Sequence, residues 1–383
     1  MGEVLAITNG RVVTPKGVLD HGAVLISERR IESVTESRMA DDSGVETVDA
    51  KGNWILPGLI DLHVMGGFDK CTFDPDPGVV TALARGLPKC GITAFLPATT
   101  TFQGSTEPIS QLAAQIHEWD EVGACPLGLL VEGPFINPER RGGFTLSRVE
   151  DPSPERFEAI LEACDDFLRI MMLAPERCLG GDYIERIASQ GVVAMGHCQP
   201  TSQEAHEAVR RGVRYATHVF NAMGPLGHRE PGVAGVSLVA DEVVCELICD
   251  GRHVVREVVD LVARAKGPDG IALVTDSLPW LGLPPGEYDR WNLRVISDGE
   301  TVKQENGTLI GTVLPLHLAL RRFMEFTRWP LEKAISCVTS TPARVVGLYH
   351  ERGSLEPGKR ADILVLTPDF DVFGVWVGGE RVV

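Results

Sequence analysis

Four polar residues each close a short apolar run, and they lie far apart in the chain. They are Glu132 in LGLLVEGP, His197 in VVAMGH, His218 in YATHVFNAM and Asp276 in IALVTDS. An apolar run ended by one polar side chain reads as a buried parallel strand whose last residue faces an open mouth. Four such strands meeting at one barrel mouth bring together two carboxylates and two imidazoles. Glu132, His197 and His218 are a sound ligand set for one catalytic divalent metal with a position left for water. Asp276 is then placed to accept a proton from that water. Each residue also has a plainer reading. Glu132 or Asp276 would cap a following helix, and the histidines would be core residues. The convergence of all four favours the metal hydrolase.

The spacing supports the barrel. Eight apolar runs, near 59–63, 92–100, 127–133, 168–176, 191–197, 215–221, 244–251 and 271–277, alternate with helix-patterned stretches such as PERFEAILEACDDF and TSQEAHEAVRRG. The second of these carries Thr201 or Ser202 as its N-cap. Eight strand–helix units of this size match an α/β fold of the (β/α)8 TIM barrel type over residues 56–351. The rival, a doubly wound open sheet, gathers fewer strand ends and lacks a glycine-rich dinucleotide fingerprint. Residues 1–55 and 352–383 read instead as short strands, with Asn9-Gly10 and Gly378-Gly379 as turn signals. Neither piece buries a core alone, so the two are expected to join as one small β-sandwich.

Composition narrows the partners. The 383 residues carry a formal net charge of −17, which argues against nucleic acid and anionic membrane surfaces. The cysteines number nine, without a CxxC pair, as in a reduced cytoplasmic protein. The amino terminus lacks a signal-peptide layout, no run reaches membrane-spanning length, and Ala6 breaks the myristoylation pattern begun by Gly2.

The segments PGLIDLH, LVEGPFINPERRG, AMGHCQ, ATHVFNAMGPLGHREPG, CDGRHV and VTDS, with the ending LEPGKRADILVL, resemble the N-acetylglucosamine-6-phosphate deacetylases of the amidohydrolase superfamily. The match is ordered and spans nearly the whole chain. It implies the same metal ligands, Glu132, His197 and His218, and the same general base, Asp276. It further implies that Arg229 binds the substrate phosphate, a role suited to a planar guanidinium. Asn221 and Ala222 would contact the sugar phosphate, and His253 would reach substrate across a homodimer interface. For Arg229 alone, a surface salt bridge with Glu230 is the plainer reading.

Two positions depart from the family. Many members carry His-x-His at the end of strand one, which binds a second metal. Here His63 is followed by Val64 and Met65, and a thioether is a poor ligand for such a cation. The expectation is therefore one divalent ion, zinc first, with nickel, iron, manganese or cobalt sharing such ligands. The second departure is Phe144, where the family shows a histidine that contacts substrate near the amide. Losing such a donor costs roughly 10²–10³ in rate, unless His228 or Arg141 replaces it. The leading reading is deacetylation of an amino-sugar phosphate. Its rivals are a diverged amidohydrolase acting on another amide, and a sugar-phosphate-binding protein without catalysis.

Overall fold

The computed structural model describes residues 4–36, 45–291, 293–305, 307 and 309–383. Eight parallel strands form the barrel, Leu59–Val64, Ile92–Thr99, Leu129–Glu132, Leu168–Leu173, Val192–Met195, Val213–Ala216, Val244–Ile248 and Ile271–Val274, and the two-residue strand Cys125–Pro126 adds to the second of them. Each of the eight coincides with one of the eight apolar runs. Nearly every residue in them is buried, because strands covered on both faces need no polar alternation. The sheet closes on itself where Val64 bridges Ser277 and Met65 N–H donates to Ser277 O at 3.0 Å.

Helices follow the strands in turn: Val79–Gly86, Glu107–His117, Pro154–Cys164, Tyr183–Ala188, Ser202–Arg211, Gly232–Val239, Arg256–Lys266 and Leu316–Thr327. Their starts are legible locally. Thr201 caps the helix Ser202–Arg211 in a reciprocal pair with Glu204, leaving its apolar face of Ala205, Ala208 and Val209 on the barrel.

Both chain ends enter one eight-stranded sheet. Trp54–Pro57 pairs with Ile363–Leu366 from the far end and with the long strand Leu5–Thr14. A separate core of Ile7, Val12, Val24, Ile55, Ile363 and Trp376 fills it. Asn9-Gly10 is not a turn there. The strand Leu5–Thr14 runs through it with a break in register, and Asn9 takes a left-handed φ of 55°. Its side chain donates to Asp49 at 2.9 Å, so the local preference becomes a bulge instead of a reversal. Gly378-Gly379 does form the tight turn between Val372–Val377 and Glu380–Arg381.

One element has no counterpart in the eight-run pattern. After the last barrel strand the chain makes an antiparallel sheet of Gly286–Arg290, Leu293–Ser297, Thr301–Gln304 and Leu309–Thr312 before the final barrel helix. Arg290 ties it to the loop after strand one through Asp69, at 2.9 Å, and Asp74.

Candidate metal centre

Glu132 is the last residue of the third barrel strand. His197, His218 and Asp276 lie just beyond the ends of the fifth, sixth and eighth. These last three have left-handed backbones, with φ of 46°, 31° and 47°. Such conformations cost of order 1–3 kcal/mol each in a residue other than glycine, and they cluster where a site demands them.

The three candidate ligands are buried and meet closely. Glu132 Oε1 lies 3.1 Å from His197 Nε2 and 3.1 Å from His218 Nε2, and the two ring nitrogens are 3.2 Å apart. Among the described residues this trio is the one group of histidine, cysteine and acidic side chains close enough to hold a metal ion. His197 Nδ1 donates to the Arg140 carbonyl at 2.8 Å, which in the neutral ring leaves a lone pair on Nε2. A lone pair aimed at a carboxylate oxygen is satisfied by an extra proton or by a cation between them. Burial opposes charge on His218, yet the bond to Glu132 outweighs it and raises its pKa. Burial likewise opposes charge on Glu132, but His63 and the bonds from His197 and His218 hold it well below the usual carboxylate range. A divalent cation satisfies the same atoms without those protons, so this donor set fits one.

Asp276 keeps 18% of its side chain exposed, toward the mouth, and its Oδ1 lies 3.4 Å from His63 Nε2. His63 is fully buried. Its Nδ1 donates to Glu246 Oε1 at 2.9 Å, and its Nε2 is 3.5 Å from Glu132 Oε2. Burial would strip charge from His63, but Asp276, Glu246 and Glu132 reverse that and raise its pKa well above the ordinary value. Met65 is 7% exposed.

The segment after strand three folds over His197. Gly142, at φ 58°, sits so close that a Cβ there would stand 3.0 Å from the His197 ring. Phe144 then lays its ring against that imidazole, centroids 5.2 Å apart, with Phe73 edge-on at 6.1 Å. Arg141 and His228 are exposed, and the Arg141 guanidinium is engaged by the Pro138 carbonyl at 2.9 Å.

The outer residues are placed less tightly. Asn221 binds the His218 carbonyl through its side chain at 3.2 Å, and the Ala222 carbonyl accepts from Cys198 N–H at 3.1 Å, tying the ends of strands five and six. Arg229 is exposed. Glu230 serves instead as acceptor for the backbone of Ser202 at 2.7 Å and Gly232 at 3.2 Å, and no Arg229–Glu230 pair forms. His253 Nδ1 donates to Asp250 at 2.6 Å, and the ring is mostly buried.

Two buried carboxylates escaped the sequence reading because they lie inside strands, not at their ends: Asp61 and Glu246. The signal was present as a lone acid in LIDLH and in VCELIC. Asp61 accepts from Thr275 Oγ1 at 2.6 Å, and burial pushes its pKa up to about 7 against that bond.

A carboxylate and two imidazoles at the C-terminal mouth of a (β/α)8 barrel define a class of barrel built around a catalytic divalent metal. The chain belongs to the amidohydrolase family, whose model matches residues 54–382. It is 31% identical over 379 residues to N-acetylglucosamine-6-phosphate deacetylase of Bacillus subtilis, covering 97% of this chain and 95% of that one. The crystal structure of N-acetylglucosamine-6-phosphate deacetylase from Pasteurella multocida superposes with a TM-score of 0.90 at 26% identity, covering 99% of both chains. A mutant of the Mycobacterium smegmatis deacetylase, in complex with N-acetyl-D-glucosamine-6-phosphate, superposes with a TM-score of 0.88 at 26% identity, covering 100% of this chain and 99% of that one. Among the described residues no helix is long and apolar enough to cross a membrane.

Proposed function

We propose that the chain hydrolyses the N-acetyl group of an amino-sugar phosphate, with N-acetylglucosamine 6-phosphate as the first candidate. The observation that carries this reading is the meeting of Glu132 Oε1, His197 Nε2 and His218 Nε2 within 3.2 Å of one another, beside the partly exposed Asp276. The relatives' substrate supplies the rest.

Glu132, His197 and His218 would hold one divalent ion, zinc before nickel, iron, manganese or cobalt. Such an ion supplies Lewis acidity toward water and the amide carbonyl. Asp276 takes a proton from water and returns it to the leaving amine. Arg229 and His253 hold the phosphate, with Asn221 and Ala222 on the sugar. His63 borders the reacting groups, and Phe144 walls the site beside His197 and excludes water there. The enzyme works as a homodimer in the cytoplasm; its nine cysteines are free thiols, which supports a reducing compartment. The domain boundaries fall near residues 55 and 352, so that a small β domain drawn from both chain ends flanks the catalytic barrel of 56–351.

Phe144 and Met65 favour a second reading, a relative that has moved to another N-acyl group. Acetate release from N-acetylglucosamine 6-phosphate, measured beside its galactosamine epimer, longer N-acyl analogues and N-acyl amino acids on metal-analysed protein, separates the two. Turnover of the acetyl sugar phosphate that stops on chelation supports the first reading. Turnover confined to other amides overturns it.

A further inference from the structure

We propose that Glu246 is a positioning residue of this site. One buried carboxylate oxygen holds His63 and His218 in register, and through them aligns Glu132 and Asp276. The inference rests on the reading of Glu132, His197 and His218 as metal ligands.

Glu246 lies in the middle of the seventh barrel strand, Val244–Ile248, and is fully buried, with apolar residues on either side of it in sequence. An ionised group in such a place costs several kcal/mol unless it is bonded and used, and a leucine would fill the position with no such cost. Its Oε1 accepts two hydrogen bonds. One comes from His63 Nδ1 at 2.9 Å, the other from the His218 backbone N–H at 3.0 Å.

The second bond explains how His218 holds its left-handed turn. At φ 31° its N–H has left the strand ladder and needs another acceptor. Glu246 braces the segment twice, since its main-chain carbonyl also takes Val219 N–H at 2.9 Å. The candidate ligand is thus gripped on both sides of its Cα by one residue of the neighbouring strand.

The first bond orients His63. A carboxylate only accepts, so the proton of Nδ1 points at Glu246 and Nε2 points the other way. There it meets Glu132 Oε2 at 3.5 Å and Asp276 Oδ1 at 3.4 Å. Glu132 Oε2 has no hydrogen-bond partner among the described residues, and His63 is the polar group that faces it. The His63 and His218 rings stack at 5.9 Å, which couples the two arms. Rotation of either ring would misdirect a ligand or the proton acceptor.

The test measures metal affinity against a competing chelator, kcat and KM separately, and melting temperature. Glu246→Ala removes the acceptor. It should weaken metal binding roughly 10–100-fold, the usual loss when a group orienting a ligand is removed, and should lower kcat with KM unchanged. Glu246→Gln keeps the reach and an acceptor oxygen, so it should recover most of both. Glu246→Asp keeps the charge but is one methylene short, and should behave like alanine. Should the alanine variant fail to fold, the aspartate and glutamine pair decides. Parental metal affinity and kcat in Glu246→Asp, with only a lowered melting temperature, overturn the proposal. A parent protein that holds no metal instead overturns the ligand reading on which it rests.

Discussion

Phe144 rests its ring against the His197 imidazole, centroids 5.2 Å apart. The contact puts an apolar face over a candidate metal ligand where the related deacetylases are expected to present a hydrogen-bond donor. If acetyl-sugar hydrolysis is the reaction, the donor's absence should show as slow chemistry. Phe144→His is then expected to raise kcat more than it alters KM, because a donor aimed at developing charge acts in the transition state. Steady-state kinetics on N-acetylglucosamine 6-phosphate checks this. A parent rate already near about 10 s⁻¹, an ordinary enzymatic value, would show the ring to be neutral.

Purified protein should carry about one tightly bound divalent ion per chain, because a single full ligand set is present among the described residues. His197→Ala and His218→Ala should each empty it, as read by elemental analysis. Two strongly bound ions, with His63 at the second, would contradict the view that Met65 has removed that position.

Asp276→Asn should abolish most turnover while metal content stays parental. An amide keeps the shape but cannot take the proton, and a general base contributes about 10²–10⁴-fold. If the variant retains an appreciable share of the rate, another group is the base.

Arg229→Ala should raise KM for phosphorylated substrate by roughly 10–100-fold, the worth of a charge-assisted bond of about 1.5–3 kcal/mol. The exposed guanidinium is available for such a role because Glu230 is occupied by the backbone of Ser202 and Gly232. Equal activity of the parent on phosphorylated and unphosphorylated sugars would remove the argument.

Asp61 gives a pH signature. Burial raises its pKa from 3.8 to about 7 in the folded chain. The folded state therefore binds its proton more tightly than the unfolded one. Its stabilising contribution is full below the unfolded value and is lost as pH rises through the folded one. Asp61→Asn stays neutral throughout, so the parent should lose stability relative to this variant between about pH 4 and about pH 7. Parallel urea midpoints across that range would refute the shifted carboxyl.

Much of this was legible in one dimension. Runs such as IALVTDS and YATHVFN declare a strand buried on both faces and its exit residue, because burial leaves no alternation and the mouth tolerates polarity. Once eight such runs alternate with helices, the right-handed crossover rule brings their ends to one face. Glu132, His197, His218 and Asp276 could therefore be grouped from sequence alone.

What sequence left open depends on distance between strands. Whether Asn9-Gly10 turns or bulges was decided by Asp49, forty residues on, offering its carboxylate. The strands between Gly286 and Thr312 were missed because their half-exposed residues follow none of the barrel's apolar runs. Glu246 sits in mid-strand, where its neighbours in sequence say nothing of its partners. Its role exists only because closing the barrel carries His63 from strand one and His218 from beyond strand six to the same oxygen atom. Local sequence specifies where a strand begins and ends, since that follows from the burial of adjacent residues. Tertiary packing decides which buried charge meets which, since that depends on contacts between residues the chain holds far apart.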